Sequence, residues 1–386
     1  MNNHLPRLRS QPHGEKMGFT LFVFFAVAAL SARAATLTVA NTNDSGPGSL
    51  RQLINTAAPG DTINFSVNGT ITLGTGELLV TNNLTIVGPG ATNLAISGNS
   101  SNRIFEIGSG AMVQILSLTI ANCRVIGDPG RNAQGGAIYN AGSLIISNAT
   151  LVANGVIGGQ GISVPATNGP SGPGMGGAIF NQGSLWVISS RFQSNTAAGG
   201  TAYPLGGPFG TWGGAGGTAI GGAICSVDGS ALTLIGNEFS GNAALGGRGG
   251  AGSDGESGYF GTTPGGNGGT GGAALGGAIY CSNAFLYATN NTLAANVAEA
   301  GPGGNGGVGG TASCFCTCGP REGGNGGSGG DGAGGAIFCA GSTGNLSSIT
   351  CSGNSASGGF GGQGGAGQGR RARERLSGPG SAAAAR

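Results

Sequence analysis

Short apolar runs recur at strand length through residues 61–127: TINFSV, TITLG, ELLVT, LTIVG, LAISG, RIFEIG and VQILSLTIANCRV, nearly all bounded by glycine or asparagine. Runs so short and so rich in Val, Ile, Leu and Thr predict β-strands. Only one helical pattern stands in the chain after residue 34: LRQLINTA follows Ser49 and places Leu50, Leu53 and Ile54 on one face. The turn-rich NTNDSGPG lies just before it, and residues 35–60 are read as an amino-terminal cap. A stacked coil needs such an element, because an uncovered end exposes core and unpaired strand edges.

From Gly135 the pattern becomes a repeat. Five blocks open with GGAI, at Gly135, Gly176, Gly221, Gly276 and Gly334, and close on Asn154, Asn195, Asn242, Asn296 and Asn354. From first glycine to closing asparagine the separation is 19 to 21 residues, while that from each asparagine to the next GGAI grows through 22, 26, 34 and 38 and fills with glycine. A constant block with elastic spacers predicts stacked repeats that bury their apolar faces against one another, with the spacers emerging as loops on one side. Aligned on their ends, the blocks give two apolar columns, Leu144, Leu185, Leu232 and Leu286, and Leu151, Phe192, Phe239, Leu293 and Cys351. The column just before the second reads Thr150, Arg191, Glu238, Thr292 and Thr350, and must face solvent because neighbours on a strand point oppositely. The closing asparagines are expected to stack as a ladder at a coil corner, in left-handed backbone.

Composition qualifies this picture. With 88 Gly and 15 Pro in 386 residues the chain approaches low-complexity disorder. Its aliphatic residues cluster inside the blocks, however, which supports a packed core there and leaves one doubtful in the spacers.

Residues 1–34 read as an export signal: Arg7, Arg9 and Lys16 are followed by the apolar run Met17 to Leu30 and by Ala32-Arg33-Ala34, a small-x-small cleavage site. Cleavage there would remove both histidines and the only lysine. The mature chain then has no histidine general base, no lysine Schiff base and no histidine-ligated metal. Its 12 Arg face 13 acids, with no basic stripe for nucleic acid.

The GGAI blocks with FxxN about 20 residues later (FQSN at Phe192, FSGN at Phe239, with LVAN, LAAN and CSGN as variants) resemble the repeats of the polymorphic outer membrane proteins. NTNDSGPGSLRQLI and LTIVGPGATNLAISGN look like the first coils of secreted proteins of the pectate-lyase-like superfamily. The resemblance implies an all-β fold, a right-handed single-stranded parallel β-helix (solenoid). The expected layout is cap 35–60, coils over 61–358 with Gly-rich loop insertions, and a Gly/Arg-rich disordered tail over 359–386. At about 20 to 25 residues per coil, ten to twelve coils are expected. The chain stops soon after the fifth block, where the family continues into a translocating barrel.

The implied function is a secreted or cell-surface adhesin or structural binding module, with cell-surface glycans or other surface proteins as partners and only indirect membrane attachment. The alternative on this fold is a polysaccharide lyase or hydrolase. Such enzymes need clustered acids, whereas the acids here are scattered singly and Arg191 beside Glu238 reads as a solvated pair. No catalytic, cofactor-binding or metal-ligating residue is singled out, and no cofactor is expected.

Eight cysteines in an exported chain predict disulfides. Cys281 and Cys339 hold the same position in successive GGAI blocks and are expected to stack, while Cys351 is expected to fill the core column. Cys314, Cys316 and Cys318 form CFCTC, read as bridging or inert loop thiols rather than a soft-metal site. GGSGGDGAG from Gly326 fits the calcium nonapeptide once, a match that so much glycine produces by chance.

Overall fold

Alternation along each strand sets the architecture. Leu144 and Ile146 are buried with Ile145 between them turned outward, and the same order returns one coil later in Leu185, Trp186 and Val187. The computed structural model describes residues 34–162, 169–203, 209–257, 262–311 and 321–367. The expected signal at 1–34 (save Ala34), the CFCTC motif and residues 368–386 lie outside the described residues.

The described chain is a parallel β-helix. Its long sheet stacks nine strands in sequence order, from Thr36–Val39 through Thr62–Phe65, Ser143–Ser147 and Ser184–Ile188 to Thr343–Ser347, each paired in parallel with the next. Eight- and seven-stranded sheets beginning at Gly69–Thr72 and Leu78–Val80 complete the wall around one apolar core. Six- and five-stranded sheets join from Arg124–Ile126 and Ala133–Gln134 onward, at the roots of the spacers. The long sheet thus has nine rungs where ten to twelve coils were expected, because many spacer residues lie outside the coils.

Each letter of GGAI has its own physical cause. The first glycine takes the left-handed region, with φ between 59° and 69° in the five blocks, where a side chain is strained. The second sits where coils touch: a Cβ on Gly177 would lie 2.1 Å from the Gly222 carbonyl oxygen, and one on Gly222 2.0 Å from that of Gly277. Alanine and isoleucine then point inward, and Ala178, Ile179, Ala223 and Ile224 are wholly buried.

At the other end of the block Phe192 stacks on Phe239 with ring centroids 4.8 Å apart, an offset geometry that adds to area burial. The closing asparagines form the expected ladder: Nδ2 of Asn154, Asn195, Asn242 and Asn296 each donates to Oδ1 of the next at 2.9 Å. The left-handed residues are not these asparagines but the ones before them, Ala153, Ser194, Gly241, Ala295 and Gly353. That corner turns the asparagine inward, where it is buried and fully bonded. Asn242 Oδ1 also accepts from the backbone N–H of Asn195, and its Nδ2 also donates to the Phe192 carbonyl. A second ladder at the preceding corner runs from Ala149 N–H to Ser190, Asn237 and Asn291.

The described parts of the Gly-rich loop insertions carry no strand or helix of their own, yet they are ordered. They run out and back as glycine arms that stack on one another. In the outgoing arm Gly246, Gly249 and Gly252 donate to the carbonyls of Glu299, Pro302 and Asn305 in the next arm. In the returning arm Gly268 and Gly271 donate to Asn325 and Ser328, while Gly269 and Gly272 donate across to Gly250 and Gly247 at 2.8 Å. The three-residue period is that of the polyproline II class of extended helix. Two glycines of each triplet face neighbouring arms, and the third residue, such as Arg248, Pro302 or Asn305, is exposed. A Cβ on Gly269 would lie 1.9 Å from the Gly214 oxygen. The recurring GGN adds side-chain links, Asn267 Oδ1 accepting from Asn325 N–H and Asn305 Oδ1 from Gln363 N–H. GGSGGDGAG belongs to this layer, with Gly327 and Gly330 donating to Gly304 and Gly301. The layer continues past the expected tail boundary at 359, since Gly359, Gly362 and Gly365 donate to Gly330, Gly327 and Gly324.

The two ends differ. Helix Leu50–Thr56, capped by the Ser49 hydroxyl on Gln52 N–H, lays Leu50 and Ile54 on the core. Across it, Thr36–Val39 is itself the first rung. At the far end the strands Thr343–Ser347 and Thr350–Ser352 are exposed throughout. Cys351, expected as buried filler, is exposed there because among the described residues no further strand stacks on Thr350–Ser352.

Replacing Asn242 by Leu strips acceptors from Asn195 and donors from Phe192 and Asn296. It is expected to cost about 3 kcal/mol or more in urea unfolding, whereas Glu238→Gln on the solvent column should stay within about 0.5 kcal/mol. Gly269→Ala is expected to abolish slow amide exchange in residues 246–252 and 265–272 while Ile224 and Ile279 keep theirs, read by hydrogen-exchange mass spectrometry.

Candidate binding face

The inner columns are committed to packing, so chemistry can vary only on outward positions. On the long sheet the outward column one residue after the core leucines reads Ile145, Trp186, Thr233, Tyr287 and Asn345. Trp186 is 36% exposed, Tyr287 45%, and Phe285, two residues before Tyr287 on the same face, 61%. Trp186 and Tyr287 stand two rungs apart, about 9.5 Å along the stack. Thr233 between them is too short to fill the gap, which leaves two separated aromatic surfaces in one line.

A polar groove of about 470 Å³ borders this strip at the coil corner, lined by Ser189, Arg191, Asn237, Glu238, Asn290 and Thr292 among others. Its residues follow directly on Ile188, Ile235 and Thr289, which end the long-sheet strands. Arg191 and Glu238 face each other in register with Nε and Oε2 3.3 Å apart, both largely in solvent, so the pair stabilises little and both charges remain open to a ligand.

Two acids that the sequence leaves separate, Glu77 and Glu106, are brought together by the stacking of Leu78–Val80 on Phe105–Ile107. Burial pushes the Glu106 carboxyl up, the hydrogen bond and charge of Glu77 add to this, and Arg103 opposes it. Arg103 is itself fully engaged. It bonds Glu77 and donates to the carbonyls of Gly135 and Gln134 at 2.9 Å, with its guanidinium 5.5 Å from the Tyr139 ring centroid. Arg51 repeats the arrangement one coil earlier, donating to the Gly76 and Glu77 carbonyls and pairing with Asp44 at 2.8 Å. These arginines join cap and coils, and the geometry is that of a staple.

Asp44 closes the cap. Its Oδ2 accepts from Gly74 N–H, Thr75 N–H and the Thr75 hydroxyl. Burial raises its carboxyl pKa, but the bonds from Arg51, Thr75 and Gly74 outweigh that and hold it below the usual carboxylate value.

Among the described residues no group of three or more His, Cys, Asp or Glu could hold a metal ion. Trp186, Phe285 and Tyr287 were not singled out in the sequence, although the signal was present: Trp186 and Tyr287 each stand nine residues before a closing asparagine. Counted from GGAI the offset slips, because the third and fourth blocks are longer.

No family model matches the chain, and no curated protein matches it. Among solved structures it is similar to Geobacillus virus E2 ORF18, with 10% identity and a TM-score of 0.27 over 81% of this chain and 62% of that one. The chain thus spans less than two thirds of that structure's length, and a superposition this loose bears on neither fold nor function.

A carboxyl held low in the folded state contributes stability above its unfolded pKa and loses it as pH falls through the folded one. Acid is therefore expected to release Asp44's hold on Gly74 and Thr75 and to speed amide exchange in helix Leu50–Thr56. Asp44→Asn should show that faster exchange already at neutral pH, with a flatter acid response.

Proposed function

We propose that this chain is an exported, adhesin-like binding module that holds linear glycans along the outer face of its long sheet. The observation that carries the reading is the line formed by Trp186 and Tyr287, in register, exposed and two rungs apart. Pyranose rings present apolar C–H faces that stack on aromatic rings. A β-1,4-linked chain returns the same ring face to one side at every second sugar, a repeat close to two strand spacings. The groove beside it offers Arg191, Glu238 and Asn237 for hydroxyl or carboxylate groups. Contacts of this kind are weak singly and sum along a rod.

The GGAI and FxxN likeness to the polymorphic outer membrane proteins supports a surface role, and the pattern of residues 1–34 supports export. The enzyme alternative rests on Glu77 and Glu106, the acids that the fold brings together.

Titration with cello-, xylo- and chito-oligosaccharides, followed by calorimetry, tests the reading. Trp186→Ala and Tyr287→Ala are each expected to weaken binding roughly tenfold, about 1.4 kcal/mol. Binding that neither substitution changes, or none at all, would sink the proposal. New reducing ends that vanish in Glu106→Gln would establish the enzyme instead.

A further inference from the structure

Cys281 and Cys339 stand opposite each other in parallel register, on Ile279–Ser282 and Ile337–Ala340. Paired positions on adjacent strands share a face and lie about 4.8 Å apart, inside the range of about 4.4–6.8 Å over which a disulfide bridges two α-carbons. Other described cysteines lack such a partner. Cys225 is aligned with Tyr280 rather than Cys281, Cys123 is buried many coils away, and Cys351 belongs to a different sheet.

We propose that Cys281 and Cys339 are a redox couple that closes to an inter-coil disulfide and staples the last coil to the body. The bridge encloses a 58-residue step that carries the spacer between the fourth and fifth GGAI blocks. It sits at the rung whose strands Thr343–Ser347 and Thr350–Ser352 are exposed among the described residues.

The environments of the two thiols suit sequential roles. Cys339 is exposed and Cys281 buried. The hydrogen bond from Cys281 pulls the Cys339 thiol down to about 7 against the opposing effect of burial, while that bond and burial push Cys281 up. Thiolate attacks more readily than thiol. The Cys339 thiolate attacks one sulfur of a small disulfide such as glutathione disulfide, breaking its S–S bond and releasing one glutathione thiolate, which takes a proton. Cys281 then gives up its proton and attacks the Cys339 sulfur, displacing the second glutathione. Two protein thiols are oxidised and one disulfide is reduced to two thiols.

The test uses the full chain with Cys314, Cys316 and Cys318 replaced by Ser, purified reduced and then exposed to glutathione disulfide. Peptide mapping is expected to find Cys281 linked to Cys339, and exchange of the 337–357 amides should slow roughly tenfold or more on oxidation. Cys281→Ser should instead trap glutathione on Cys339. Glutathione remaining on Cys339 in the chain that keeps Cys281, or thiols still free after oxidation, would overturn the proposal. Repeating the oxidation on the unsubstituted chain extends the test: a Cys339 captured there by Cys314, Cys316 or Cys318 would also overturn it.

Discussion

The constraint on which this structure depends is that the same position in successive coils meets itself at one strand spacing, about 4.8 Å. Every column must therefore be complementary to itself. Apolar columns meet this easily, and Phe192 on Phe239 shows that large rings manage it by stacking. A buried polar column is harder, because each member must be donor on one side and acceptor on the other. Asparagine does both, with a carbonyl toward one coil and an amide toward the next, and Asn154 through Asn354 use both groups. Aspartate would bring stacked negative charge, and leucine would leave buried backbone groups without partners.

Glycine answers the same constraint where backbones approach closer than side chains allow. The second glycine of each GGAI does so at the coil, and the arms do so over their whole length. A glycine-rich spacer usually means flexible chain, since nothing in it can be buried against a core. Here the backbone supplies the order: two of every three amides find carbonyls in neighbouring arms, and the absence of Cβ atoms lets arms pack from several sides. Such a layer needs several arms at once, so its stability is shared among repeats whose blocks fix the arm roots in register.

Outward columns escape self-complementarity and can differ from coil to coil. Thr150, Arg191, Glu238 and Thr292 form one of them, and Ile145, Trp186, Thr233 and Tyr287 another. Their variation within an otherwise repetitive chain is what a recognition surface requires, and they lie side by side across one corner.

The local pattern alone was enough for the strand runs, the Ser49-capped helix, the buried leucine and phenylalanine columns, the asparagine ladder and the stacking of Cys281 on Cys339. All are consequences of periodicity, which a repeat writes many times over. The number of rungs, the glycine layer, the Glu77–Glu106 contact and the exposure of Cys351 were decided by tertiary structure. Each depends on which coil lies next to which and on whether one lies there at all, and a backbone that orders itself through neighbouring backbones leaves no side-chain pattern to read.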